Sequence, residues 1–246
     1  MNLNTPEALG VAVLAFSGML KPGCDRRGFE RQTNRRWSEP CRESNSVIFC
    51  RFWPGAAAFC VRQKKAMLIR DTLPEDAKTV SVLIDTVARE RRYLAGTSGF
   101  SEELTASFIA SVRAAKGVHL VAIVDDAVVG WCDITPASFE GMTHVGRLGM
   151  GVKADYRGQG IGKGLLKAAL TRAFRQGLER VELEVFRSND AAVCLYEAHG
   201  FLREGVKVGA RKLDGRADDI LLFATFKNAH GSFHPASRLP PHQGGR

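Results

Sequence analysis

Apolar residues along this 246-residue chain switch between two spacings, and each switch marks an element. Met67-Leu-Ile-Arg-Asp71 reads as a strand. Pro74-Glu-Asp76 then starts a helix, with proline and acids in its first turn, that runs to about Tyr93. After the loop Gly96-Thr-Ser-Gly99, Ser101 is a helix N-cap backed by Glu102 and Glu103. Two apolar runs, Val118 to Val124 and Val128 to Ile134, form a hairpin across Asp125-Asp126-Ala127. A loop containing Pro136 leads to a strand from about Val145 to Val152, where Leu148, Met150 and Val152 alternate with glycine. Leu166, Ala169, Leu170, Ala173 and Phe174 then form one helical stripe. Val181 to Val185 alternates again, and a second helix ends at Gly200. The segments 201–212 and 220–226 flank Asp214-Gly215, a hairpin-turn pair. The order β-α-α-β-β-β-α-β-α-β-β predicts an α/β (α+β) fold, a mixed sheet with helices on both faces.

Residues 1–66 show no such period. The stretch from Leu9 to Leu20 is apolar but too short to span a membrane, and it lacks the basic flank of a signal peptide. The segment holds eleven Lys and Arg against five Asp and Glu, so +6 of the net charge of +9 sits there. The basic balance therefore gives no argument for nucleic acid, since it lies outside the patterned region. Cys24, Cys41, Cys50 and Cys60 match neither a zinc pair nor a Cys-x-x-Cys redox pair. The abrupt change at Met67 leads to the expectation that translation starts there; a disordered basic arm is the alternative. The region after Asn228 has no apolar period and is expected to be disordered; its His230, His234 and His242 have no fixed framework for a metal.

The candidate chemistry begins where the glycine-rich strand ends. Arg157-Gly-Gln-Gly-Ile-Gly162 runs directly into a helix. The first turn of a helix has unpaired amide donors and partial positive charge, and glycines let a phosphate approach that backbone. The Walker pattern fails, because Arg157 and Gly164 stand where it needs Gly and Ser or Thr. The dinucleotide fingerprint fails in every register. The arrangement Arg-x-x-Gly-x-Gly remains. It is followed by Ser188-Asn-Asp-Ala-Ala-Val-Cys-Leu-Tyr-Glu-Ala-His-Gly-Phe201, where Asn189, Val193 and Tyr196 share a helix face.

Taken together, Arg157 to Gly162 and Asn189 to Phe201 resemble the two cofactor motifs of the GNAT family of N-acetyltransferases. The resemblance covers about residues 67–228. It implies transfer of an acetyl group from acetyl-CoA directly to an amine, without a covalent enzyme intermediate and without a metal, in a cytoplasmic enzyme. It assigns the diphosphate to the backbone of Arg157, Gly158, Gln159, Gly160, Ile161 and Gly162, with Arg157 and Lys163 as screening charges. The pantetheine arm falls to the backbone of Met150, Gly151 and Val152, on the bare glycine face of the strand, and Asn189 closes the site. Tyr196 becomes the acid that protonates the departing thiolate.

The general base stays open among His144, Asp133, Glu140 and Glu184. Roughly a tenth of an α-amine is neutral at pH 7, against less than about a thousandth of a lysine-type amine, so weak base equipment leans toward an amino acid or peptide N-terminus. In this family the loop spanning 90–100 and the turn spanning 211–219 select the acceptor, and here both mix charges and aromatics. A catalytically silent acyl-CoA sensor is the rival reading; it would need the loop but not Tyr196. A nucleic-acid module would use the basic arm, which lacks an aromatic–basic pattern. A homodimer is compatible with the sequence, and neither a membrane nor a nucleic acid is expected as partner.

Overall fold

The computed structural model describes residues 66–227; the expectations for residues 1–65 and from Asn228 onward lie outside the described residues. The elements are β1 (Met67–Asp71), α1 (Ala77–Arg89), α2 (Glu102–Ala114), β2 (Val118–Val124), β3 (Ala127–Pro136), β4 (Val145–Val152), α3 (Ile161–Arg175), β5 (Arg180–Phe186), α4 (Asp190–Glu197), β6 (Leu202–Leu213) and β7 (Arg216–Phe226). They form one seven-stranded sheet in the order β1-β2-β3-β4-β5-β7-β6. Every neighbouring pair is antiparallel except β4 and β5. The fold is the mixed, mostly antiparallel α/β sheet that the pattern predicts.

Both faces of the central strands are covered, which is why β2 and β3 read as nearly continuous apolar runs. Leu120, Ala122 and Val124 of β2 join Leu148, Met150 and Val152 of β4 in a core with Leu165, Leu166, Ala169, Leu170, Ala173 and Phe174 of α3. On the opposite face, Val121 and Trp131 pack with Val80, Leu83, Ile84 and Val87 of α1. Ser101 caps α2 by accepting from the Leu104 amide at 3.3 Å, and Gly200 turns left-handed (φ 79°) after α4, both as expected.

The structure corrects two expected boundaries. α1 ends at Arg89 rather than Tyr93, because Arg91 adopts φ 54° and Tyr93 and Leu94 turn inward to be buried. The β2–β3 loop is Asp125-Asp126 alone, both at positive φ, and Ala127 already pairs with Val124.

The feature that positions the site is the β4–β5 junction. These strands pair at Val145↔Arg180, Gly146↔Val181 and Arg147↔Glu182, and no further. β4 nevertheless stays on β3 as far as Val152, and β5 stays on β7 as far as Phe186. From Leu148 onward the two strands part. Backbone donors and acceptors left along a parting need another partner.

Candidate functional site

The parted end of β4 runs into the glycine loop. Gly158 and Gly160 have φ 71° and 84°, left-handed values that side chains with a Cβ avoid. A Cβ at either position would meet nothing within 4 Å. Gly160 is the N-cap of α3, and no side chain caps that helix. The Arg157 N–H bonds the Ala154 carbonyl at 3.1 Å, and the Gly164 N–H bonds that of Gly160 at 3.0 Å. Among the described residues, the amides between them have no backbone acceptor outside the helix. The loop is thus open, and its donors coincide with the positive end of α3. Lys163 is exposed on the first turn and Gly162 is buried beneath it, while Gln159 donates to the Asp155 carbonyl at 2.9 Å and braces the loop.

Arg157 is not free to screen a phosphate. Its Nε donates to the Val152 carbonyl at 2.7 Å, and its terminal nitrogens donate to Glu90 at 2.7 and 2.5 Å. The guanidinium also stands 4.8 Å over the Tyr93 ring. The side chain is a brace inside the protein.

The glycine face of β4 is not bare either. Gly151 pairs with Trp131 across the sheet, and a Cβ on Gly151 would lie 2.2 Å from the indole. Trp131 occupies the room that was expected for the pantetheine arm. What remains open is the strand's edge: the side chains of Met150 and Val152 are buried in the core, so these residues can present only backbone toward the parting.

Asn189 and Tyr196 approach the same region from α4, and each is 2% exposed. The Asn189 Oδ1 accepts from the Ala192 N–H at 3.4 Å, making it the N-cap of α4 as expected. Its Nδ2 is buried with no partner among the described residues. The Tyr196 ring lies 5.5 Å from that of Phe201. Burial pushes its phenol well above the ordinary value, with Cys132 nearby adding to the rise. Tyr196 therefore stays protonated at neutral pH, as a proton donor must.

The sequence model of the acetyltransferase (GNAT) family matches residues 85–201, so it spans the loop, the parting and α4. Residues 85–201 thus match the GNAT family. It is 39% identical over 83 residues to a mycothiol acetyltransferase of Geodermatophilus obscurus, a match covering 33% of this chain and 27% of that protein. It is 36% identical over 72 residues to the [ribosomal protein bS18]-alanine N-acetyltransferase of Escherichia coli K12, covering 29% of this chain and 49% of that one. The chain thus spans a quarter to a half of the length of these curated relatives. Among solved structures, a GNAT-family acetyltransferase from Streptococcus pneumoniae superposes with a TM-score of 0.62 at 26% identity, covering 65% of this chain and 99% of that one. A GNAT superfamily phosphinothricin acetyltransferase from Sinorhizobium meliloti, solved with acetyl-CoA, superposes with a TM-score of 0.63 at 17% identity, covering 72% and 94%. No helix among the described residues is long and apolar enough to cross a membrane.

The four base candidates separate by position. His144 and Glu140 are exposed in the loop before β4, at the closed end of the β4–β5 pair. Asp133 is 4% exposed on β3, opposite Gly149 and His119, and its Oδ1 has no partner among the described residues. Burial raises it to about 8, so it is largely protonated at pH 7. Glu184 lies in a cleft of about 140 Å³ lined mainly by β5, β6 and β7, with Arg147 of β4 at its edge, and its carboxylate accepts from Lys207 Nζ at 2.6 Å. Sequence reasoning missed Glu90, Tyr93, Trp131 and Lys207, whose partners all lie far along the chain. One signal for Trp131 was available: a bulky aromatic one strand away from alternating glycines.

Proposed function

We propose that the chain is an N-acetyltransferase that uses acetyl-CoA as co-substrate and acetylates an α-amine, that of an amino acid or a peptide N-terminus. The observation carrying this reading is that β5 leaves the edge of β4 from Leu148 onward, just before a glycine loop whose amides at 158–163 have no backbone acceptor outside the helix among the described residues. A diphosphate suits the loop, where open glycines meet a helix N-terminus. An amide-bearing arm suits the strand edge, as an added strand would, and the orphan Nδ2 of Asn189 is a donor already in place.

Acetyl-CoA supplies a thioester whose acetyl carbon forms the new C–N bond as its C–S bond breaks. Tyr196 holds the proton that the departing sulfur takes up, and its burial keeps that proton in place until then. Glu184, facing the cleft, accepts the proton that the attacking nitrogen loses, and the hydrogen bond from Lys207 orients its carboxylate. The α-amine lean comes from the high neutral fraction of such amines and from likeness to a ribosomal-protein-alanine acetyltransferase.

The test is turnover by the full chain with acetyl-CoA, scored as thiol release across amino acids, short peptides, lysine-type amines and alcohols. Turnover with α-amines ahead of the rest is expected. The burial of Tyr196 gives the silent sensor its one foothold. Tight acetyl-CoA binding with no turnover on any acceptor would favour that reading, and turnover with alcohols alone would overturn amine transfer.

A further inference from the structure

Arg157 carries the only guanidinium in the glycine-loop motif, yet its Nε and both terminal nitrogens are engaged by Val152 and Glu90. Its side chain is 7% exposed, and its bidentate partner Glu90 is 27% exposed. Glu90 is the C-cap of α1, the point where the chain leaves the helix. The next residue, Arg91, is held left-handed at φ 54°, a conformation that a bulky residue keeps only where its surroundings over-determine it. Those surroundings are the tip of the β6–β7 hairpin. Arg91 grips Asp214 at 3.2 and 2.6 Å, and the Arg91 carbonyl accepts from Arg211 at 2.8 Å. The short segment 90–94 is therefore tied to the glycine loop on one side and to the last hairpin on the other. That hairpin lines the cleft at Glu184 with Lys207 and Leu222.

We propose that Glu90 and Arg157 are a positioning pair through which occupancy of the glycine loop orders the 90–94 segment and, through Arg91, the hairpin beside the acceptor cleft. This rests on the acetyl-CoA reading above. The pair suits the task because it is bidentate and charge-assisted and its guanidinium is buried, so opening it strands the Arg157 charge in the protein. The far joint is weaker. Arg91 and Asp214 are 45% and 64% exposed, so water and salt compete for them. A rigid joint at the loop and a yielding one at the hairpin let a ligand on the loop decide whether the hairpin is docked. By linkage, docking the hairpin tightens the loop's hold on its ligand by the same factor.

Hydrogen exchange of the full chain with and without coenzyme A tests this. In the wild type, coenzyme A should slow exchange at 158–163 and also in peptides covering 88–94 and 211–216. In Glu90→Gln the loop should still be protected, while the added protection at 88–94 and 211–216 falls about fivefold or more. In Asp214→Asn, an exposed change that leaves folding intact, protection should persist at 88–94 and fall at 211–216, where the Arg211 bond to the Arg91 carbonyl remains; this variant keeps the test open if Glu90→Gln does not fold. Protection confined to 158–163 in the wild type, or unchanged spread in both variants, overturns the coupling alone. No protection at 158–163 in the wild type overturns the acetyl-CoA reading and the coupling with it.

Discussion

A methyl group placed on Gly151 would land 2.2 Å from the Trp131 indole, whereas one on Gly158 or Gly160 would meet nothing within 4 Å. All three glycines belong to the stretch from β4 into α3, but only the loop pair faces open space. On β4 the missing side chain is filled by a neighbour, and the glycine serves packing. In the loop the missing side chain stays missing, and the glycines serve backbone shape. A run of glycines is therefore not one signal. It separates only when the cross-strand neighbour of each position is known, and that neighbour is set by register.

The largest effect should come from the packed side. Gly151→Val must displace a fully buried indole, and overpacking of this kind costs about 3 kcal/mol or prevents folding. Denaturant melts would check it; wild-type stability would mean that β4 has room over Gly151 after all. The same face carries Asp133, raised to about 8 by burial. Its folded form holds the proton more tightly than an unfolded carboxylate, so its contribution is full at low pH and is lost as pH rises toward 8. The loss is up to about 1.4 kcal/mol per pH unit across that window. His119 acts oppositely: burial lowers it to about 4, so stability falls as pH drops below about 6.5. Thermal melts should therefore weaken from pH 6 to 8 in the wild type and flatten in Asp133→Asn. An identical alkaline decline in the variant would assign that slope to another group.

Tyr196 is packed like Trp131, yet it shares α4 with Asn189, whose Nδ2 has no partner among the described residues. Tyr196→Phe keeps the packing and should lower kcat by at least about tenfold with acetyl-CoA affinity preserved. Because burial holds the phenol up, the alkaline limb of the rate profile should not belong to it. Unchanged kcat would reduce Tyr196 to core packing.

The smallest effect is expected on the open side. Gly160→Val keeps the core intact but forces a β-branched residue into left-handed backbone, at about 1–2 kcal/mol. Calorimetry should show acetyl-CoA binding weakened by about threefold to tenfold. Unchanged affinity would place the cofactor elsewhere and dissolve the contrast with Gly151.

What the sequence determined by itself is local. Periods of two and 3.6, the caps at Ser101 and Asn189, the Asp214-Gly215 turn and the Gly200 stop are properties of neighbouring residues, and all are found in place. The glycine loop at the start of α3 was legible for the same reason, since its chemistry is backbone chemistry over a few residues. Tertiary structure alone decided the rest. It closed α1 at Arg89, filled the β4 glycine face with Trp131, and turned Arg157 from a screening charge into a brace on Glu90. It also set Glu184 in a cleft against Lys207 of another strand. Each of these depends on which strand or loop lies opposite, and such pairings join residues up to 123 positions apart, as Arg91 and Asp214 are. Side chains that reach across the sheet leave no periodic trace along the chain, because the energy that places them comes from the partner.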